Sequence, residues 1–97
     1  MLVALERFDL RIPGCASLKE KRHVVKSLSA AIRARFNVSV AETGYHDLWQ
    51  RAELAVAAAG AERYHLRKVM QEVEKLVDRW GEVEVIDTEI TLHDPED

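Results

Sequence analysis

The 97-residue sequence has few of the residues that build covalently stapled or metal-held folds. Cys15 is its single cysteine, which excludes an internal disulfide and a cysteine-rich metal site. The four histidines lie on separate segments without metal-ligand spacing. No phosphate-binding loop, dinucleotide turn, zincin helix or serine-hydrolase elbow occurs. We therefore expect no catalytic residue, no metal and no cofactor, and we expect the protein not to be an enzyme.

Long apolar runs are scarce as well. Residues 1–12 alternate between apolar and polar types and contain no run of signal-peptide or membrane-span length. Cys15 follows Pro13 and Gly14, a pattern that predicts an exposed turn and gives no link to an oxidising compartment. We expect a cytoplasmic protein without a membrane partner. The length predicts one domain over residues 1–97.

Charge is abundant but unevenly distributed. Lysine, arginine, aspartate and glutamate sum to +4 over residues 1–51 and to −7 over the rest, behind a net charge of −3. Residues 17–36 carry six Lys or Arg against one carboxylate, whereas residues 82–97 carry seven Asp or Glu and no Lys or Arg. Such a dipolar molecule indicates oriented partners, although it names no reaction.

The hydrophobic pattern of the first third predicts a strand followed by a helix. Residues 2–12 alternate as a half-buried strand does, although Glu6 interrupts the apolar side. Ser17 and Glu20 have the spacing of a capping box at a helix start. Apolar residues then recur at helical spacing as far as Phe36, so this helix is strongly indicated.

The remaining sequence predicts a strand pair, a second helix and a last strand. The corresponding segments are 38–43, 48–58, 66–80 and 83–92. A hairpin-like loop at 44–47 joins the strand pair, and Gly81 stands at a typical C′ position after the second helix. The order βαββαβ predicts an α+β, ferredoxin-like split βαβ fold, with two helices on one face of a four-stranded antiparallel sheet in the order 4-1-3-2.

The first helix offers the best candidate binding surface. Four cations fall within about 60° of arc and about 20 Å of length, next to the apolar stripe. They form what we call the basic ridge: Lys19, Arg22, Lys26 and Arg33. Lys21 is added as a fifth nucleic-acid-binding residue, and Lys21 and Arg35 both lie nearer the margins of the ridge. A ridge with so few acids could follow the phosphate backbone of structured RNA, although a solvated helix face is often charged without a ligand.

The sheet face away from the helices offers a second candidate surface. Strand alternation places charges of both signs there, together with one tryptophan. The predicted interaction residues are Arg7, Arg11, Trp49 and Arg51. The face lacks the aromatic pattern with which an RRM domain stacks RNA bases, so opposite-charge pairs across the strands are the simpler interpretation. This surface, or the acidic last strand, would then serve self-association.

Three segments also carry a family resemblance. They are PGCASLKEKR at 13–22, RFNVSVAE at 35–42 and HDLWQRAELAVA at 46–57. Together they resemble the YlxP-like family of small bacterial proteins, a domain of unknown function, over nearly the whole chain. The resemblance implies a ferredoxin-like fold and a cytoplasmic bacterial protein, with genes often beside those for translation initiation and ribosome maturation factors. It implies no catalytic residue.

Two functional hypotheses follow from these patterns. The first is a non-enzymatic protein that binds structured RNA, such as that of a ribosomal particle, through the basic ridge. The second is a homo-oligomeric interaction module that uses the sheet face or the acidic strand and has no nucleic-acid role. An enzyme of unrecognised type ranks third, and it would require a pocket with several converging titratable groups.

Overall fold

The computed structural model describes residues 1–96, and its elements follow the predicted order. They are β1 (Leu2–Arg11), α1 (Leu18–Arg35), β2 (Ser39–Gly44), β3 (Arg51–Gly60), α2 (Arg63–Asp78) and β4 (Glu84–His93). The four strands form one antiparallel sheet in the order β2-β3-β1-β4. Read from the other edge, this order is the predicted 4-1-3-2. The ferredoxin-like fold and the sheet order are therefore confirmed.

The core lies between one face of the sheet and the two helices. β1 is a central strand, paired with β3 on one side and β4 on the other. Its alternate residues Phe8 and Leu10 are fully buried, as are Leu54 and Val56 of β3. The helices contribute Leu28 and other apolar residues at 3.6-residue spacing. This alternation confirms which side of each central strand faces the helices.

α1 begins with the capping box that its sequence predicts. Ser17 is the N-cap, and its hydroxyl accepts a hydrogen bond of 3.1 Å from the Glu20 backbone N–H. The Glu20 carboxylate in turn accepts a 2.8 Å bond from the backbone N–H of Ala16. These bonds satisfy donors that the first turn would otherwise leave unpaired. They also occupy the only carboxylate of α1.

α2 ends differently from the sequence prediction. The helix stops at Asp78, Arg79 caps it in a right-handed conformation, and Trp80 donates its backbone N–H to the Val77 carbonyl. No glycine among residues 1–96 has a positive φ angle, so Gly81 does not form the predicted left-handed C′ cap. The prediction at this position was wrong because the chain turns by a tightened last turn that needs no left-handed residue.

Glu6 is an unexpected member of the core. Its side chain faces the helices between Ala4 and Phe8 and is fully buried. Neither carboxyl oxygen makes a well-formed hydrogen bond with any residue in the range 1–96. Burial, and after it the Glu74 carboxyl of α2, raises the pKa of Glu6 from 4.5 to about 8. The interrupted apolar pattern of β1 therefore marks a buried, protonated carboxyl at neutral pH.

β4 forms a loosely covered edge of the sheet. A register shift opposite Asp9 and Leu10 displaces Ile86, whose side chain is exposed. Ile90 pairs with Glu6 and is on the helix side, yet it remains more than a third exposed because α2 covers this edge incompletely. A bulge and exposed carboxylates are common devices that keep an edge strand from pairing with another chain.

Candidate nucleic-acid interface

The basic ridge projects from α1 as predicted. Lys19, Arg22, Lys26 and Arg33 are all exposed, while the opposite side of the helix packs on the sheet. No carboxylate of residues 1–96 lies within 4.0 Å of any of these four cations. The guanidinium of Arg33 donates only a long hydrogen bond of 3.3 Å to the Val40 carbonyl of β2. The ridge cations therefore form no ion pair within residues 1–96, and the carboxylates of Glu20 and Glu82 share only a cleft with Lys19.

Lys21 requires a correction. We predicted that it contacts nucleic acid, but its side chain is only 1% exposed. Its ammonium lies 3.0 Å from a Glu42 carboxylate oxygen of β2 and donates hydrogen bonds of 2.6 and 2.8 Å to the carbonyls of Tyr45 and Leu48. The ammonium is thereby directed inward. The reason lies in the helical repeat, which places Lys21 in the centre of the apolar stripe, between the directions of Val25 and Leu28.

Those bonds hold the segment that connects β2 to β3, which we call the β2–β3 loop (residues 45–50). It is longer than predicted, because β3 begins at Arg51 and not at residue 48. Trp49 consequently lies in the loop and not on the sheet face, so its predicted position was wrong. Tyr45 adopts a left-handed φ of 59°, which a non-glycine residue takes only where neighbouring contacts enforce it.

Arg51 holds the loop from its other end. Its guanidinium donates to both carboxylate oxygens of Asp9 on β1, at 2.9 and 3.0 Å, and to the Tyr45 hydroxyl at 3.1 Å. The same guanidinium stacks on the Tyr45 ring, 4.5 Å from its centroid. Arg51 is therefore a structural residue of the loop as well as a member of the predicted interaction face.

The other arginines of that face are paired within the sheet. Arg7 lies 3.3 Å from Asp87 and 3.7 Å from Glu53, and Arg11 lies 3.9 Å from Glu84. These contacts confirm the expected cross-strand pairs of opposite charge. The structure does not bring Arg7, Arg11 and Trp49 together as one site. The charged side chains at this end of the sheet face are largely paired with one another.

Cys15 also differs from its prediction. It is buried rather than exposed, and its thiol lies 3.4 Å from the Ser17 carbonyl oxygen. A surface cleft of about 720 Å³ opens beside it at the start of α1, and His23, Glu20 and Glu82 also line this cleft. No hydrogen bond within residues 1–96 joins these side chains into a nucleophile and base pair. Nor does any cluster of three or more His, Cys, Asp or Glu side chains with the arrangement of a metal site occur in that range.

Comparison with solved structures concerns the fold. The architecture is that of a ferredoxin-like α+β protein. It superimposes with a TM-score of 0.55 on a Deinococcus radiodurans protein assigned to the antibiotic biosynthesis monooxygenases, at 17% identity over 97% of this chain and 91% of that one. The de novo designed protein Foldit4 gives the same TM-score at 9% identity, over 97% and 98% of the two chains. Likeness at such low identity concerns the fold alone.

Sequence comparison is more specific. Residues 3–90 match the family described as "Protein of unknown function (DUF503)". The chain is also 41% identical, over 83 residues, to the uncharacterized protein YlxP of Bacillus subtilis (strain 168), covering 86% of this chain and 90% of that protein. The chain therefore belongs to the DUF503, or YlxP-like, family, as the three segments predicted. Of the helices described, neither is long and apolar enough to cross a bilayer.

Proposed function

We propose that this protein is a single-domain, cytoplasmic RNA-binding protein without enzymatic activity, and that the basic ridge contacts the phosphates of a structured RNA such as ribosomal RNA. The observation that carries this proposal is that no carboxylate of the described chain lies within 4.0 Å of any of the four exposed ridge cations. By contrast, α2 mixes signs and pairs Lys75 with Glu72 at 3.2 Å. Only α1 keeps a one-sided charge.

The sheet order makes binding compatible with the negative net charge. α1 packs over the β2 side, since Lys21 and Arg33 contact Glu42 and Val40 of that strand. The acidic β4 is the opposite edge of the sheet. The two edge strands of a four-stranded sheet lie about 14 Å apart, which exceeds the Debye length of about 8 Å at physiological salt. The acidic strand therefore only weakly opposes the approach of a polyanion to the ridge.

Reversing two ridge charges tests this proposal. We expect Arg22→Glu with Lys26→Glu to lower the affinity for a structured ribosomal RNA fragment at least about tenfold and to reduce the salt slope by about two, because two phosphate contacts are lost. Both residues are exposed and unpaired in the described chain, so the melting temperature should hardly change. Fluorescence anisotropy of labelled RNA at several salt concentrations measures both quantities.

The matched control reverses two exposed arginines of α2. Arg63→Glu with Arg67→Glu changes the net charge by the same amount on a helix of mixed charge. Equal losses in the two double variants would show that RNA responds to net charge only and would overturn the ridge as a site. Co-sedimentation with ribosomal particles at low and high salt then tests whether the RNA partner is ribosomal.

A second candidate function is self-association through the sheet face, and one observation favours it. The half of that face away from the arginines is apolar and lined mainly by alanine, with Leu5 at 46% exposure. Self-association here predicts a dimer in sedimentation equilibrium at high micromolar concentration, and Leu5→Lys should dissociate it. A monomer under those conditions would exclude this candidate. Ala59→Lys, at the strand end, serves as a milder comparison variant.

A further inference from the structure

Buried polar contacts hold the β2–β3 loop rigidly from beneath. The ammonium of Lys21 bonds two loop carbonyls, as described above, and the Leu48 N–H donates to the Tyr45 carbonyl at 3.0 Å. On the other side of Trp49, the Gln50 backbone carbonyl accepts a hydrogen bond of 2.9 Å from the Ile12 N–H. The side-chain amide of Gln50 donates a hydrogen bond of 3.1 Å to the Cys15 carbonyl. The backbone is thus anchored on both sides of Trp49.

The side chains that this framework presents are apolar and point outward. Leu48 is 48% exposed and Trp49 is 51% exposed, and they border a shallow groove formed by residues 47–51. A buried lysine loses much of its hydration and its side-chain entropy on folding. A buried lysine that orders a loop whose apolar residues stay exposed adds little to the stability of the core. The arrangement is understandable if the exposed pair has a binding role.

We propose that Trp49 is a stacking platform for an unpaired base of the RNA whose phosphates lie on the basic ridge. This inference rests on the proposed function and deepens it, since it assigns the partner a single-stranded or bulged nucleotide beside a structured region. Aromatic rings stack any base without reading its sequence, whereas the ridge contacts phosphates only.

Charge favours a nucleic acid over a protein as the occupant. Arg33 of the basic ridge donates to the Val40 carbonyl of β2, and Lys21 of the same helix donates to two carbonyls of the loop that follows β2, so the ridge and the loop lie along the same edge of the sheet. An RNA strand with one base stacked on Trp49 would then continue along this edge toward the ridge cations. Asp47 is the one acid within the loop. An apolar protein partner would gain nothing from the uncompensated charges of the ridge.

Rigidity is the physical reason for the buried contacts. A loop that is already ordered loses little conformational entropy when a base stacks on it, so more of the stacking free energy appears as affinity. The left-handed Tyr45, clamped by Arg51 on its ring and hydroxyl, is part of the same framework. Flexible loops of equal composition would bind more weakly.

The experiment compares Trp49→Ala and Trp49→Phe with the unchanged protein on two RNA probes, an oligouridylate and a fully paired duplex of equal length. We expect Trp49→Ala to weaken oligouridylate binding roughly tenfold and to leave duplex binding unchanged. Trp49→Phe should restore most of that affinity, because a phenyl ring still stacks. Oligouridylate should also quench the tryptophan fluorescence of the unchanged protein, and this quenching should be largely lost in Trp49→Phe.

The remaining outcomes separate the two proposals. In one of them, the protein binds both probes with an affinity that falls in the Arg22→Glu, Lys26→Glu double variant and is unchanged in Trp49→Ala. In that case the stacking inference fails and the proposed function stands. If the unchanged protein binds no RNA, both fail. If Trp49→Ala instead abolishes self-association in sedimentation while RNA affinity is unmoved, the loop serves a protein contact and the inference is overturned. Thermal melting of each variant confirms that it is folded.

Discussion

Replacing Lys21 with methionine should lower the free energy of unfolding by about 3 kcal/mol. Methionine fills a similar volume but has no charge. The Glu42 carboxylate would lose its cation, and the carbonyls of Tyr45 and Leu48 would lose their donors. Removing one partner of a buried pair is costly because the other keeps its desolvation penalty. Chemical denaturation followed by far-UV circular dichroism measures the change.

Lys19→Met is the control for this prediction, because it removes the same charge from the exposed side of the same helix. It should change stability by less than about 0.5 kcal/mol. Combining Lys21→Met with Glu42→Leu should recover part of the loss, since no carboxylate is then left unpaired. If Lys21→Met proved as mild as Lys19→Met, the ammonium would not hold the loop, and Trp49 would not be presented on a rigid framework.

The second large effect concerns Glu6 and depends on pH. The pKa of Glu6 is about 8 in the folded protein, whereas the unfolded chain releases this proton near pH 4.5. Folding therefore retains a proton between these values, so stability falls as the pH rises from about 5 through 8. Glu6→Gln removes that titration. We expect the variant to be more stable than the unchanged protein by about 4 kcal/mol at pH 9 and similar to it at pH 5.

Unfolding midpoints measured at several pH values on both proteins provide the test, because groups that do not interact with Glu6 cancel in the difference. Glu74→Gln should leave part of the dependence in place, since burial is the larger cause of the shift and Glu74 the smaller. A constant difference between Glu6→Gln and the unchanged protein across this pH range would show that Glu6 does not titrate there.

Both predictions concern ionisable residues that are buried in the core, and they have different consequences. Lys21 has three oxygen partners, so its charge is retained and used to fix a loop. Glu6 has no comparable partner among the described residues, so its proton is retained instead. The first arrangement gives conformational definition to a surface loop, and the second makes the whole fold less stable in alkaline solution.

Local rules account for the parts of the fold that were predicted. The capping box at Ser17 and the 3.6-residue repeat defined α1, and the two-residue alternation defined the buried sides of β1 and β3. These signals depend on neighbours in the chain. The βαββαβ order then restricted the topology, so the sheet order also followed.

Local sequence patterns predicted only part of the candidate site. Helical geometry correctly placed the four ridge cations on an exposed face. The same geometry placed Lys21 within the apolar stripe, a signal that we read as marginal rather than buried. Glu6 carried an equivalent signal in the alternation of β1. In both cases a charged residue at a core position pointed to a special environment.

The sequence by itself determined the elements, their order, the family and the one-sided charge of α1, because each is a property of residues close together in the chain. Only the tertiary structure decided that Glu42, Tyr45 and Leu48 surround the Lys21 ammonium, and that Trp49 leaves the sheet for a clamped loop. Those contacts join residues more than twenty positions apart. Their free energy depends on how β2 and its loop pack against α1, which no local pattern encodes.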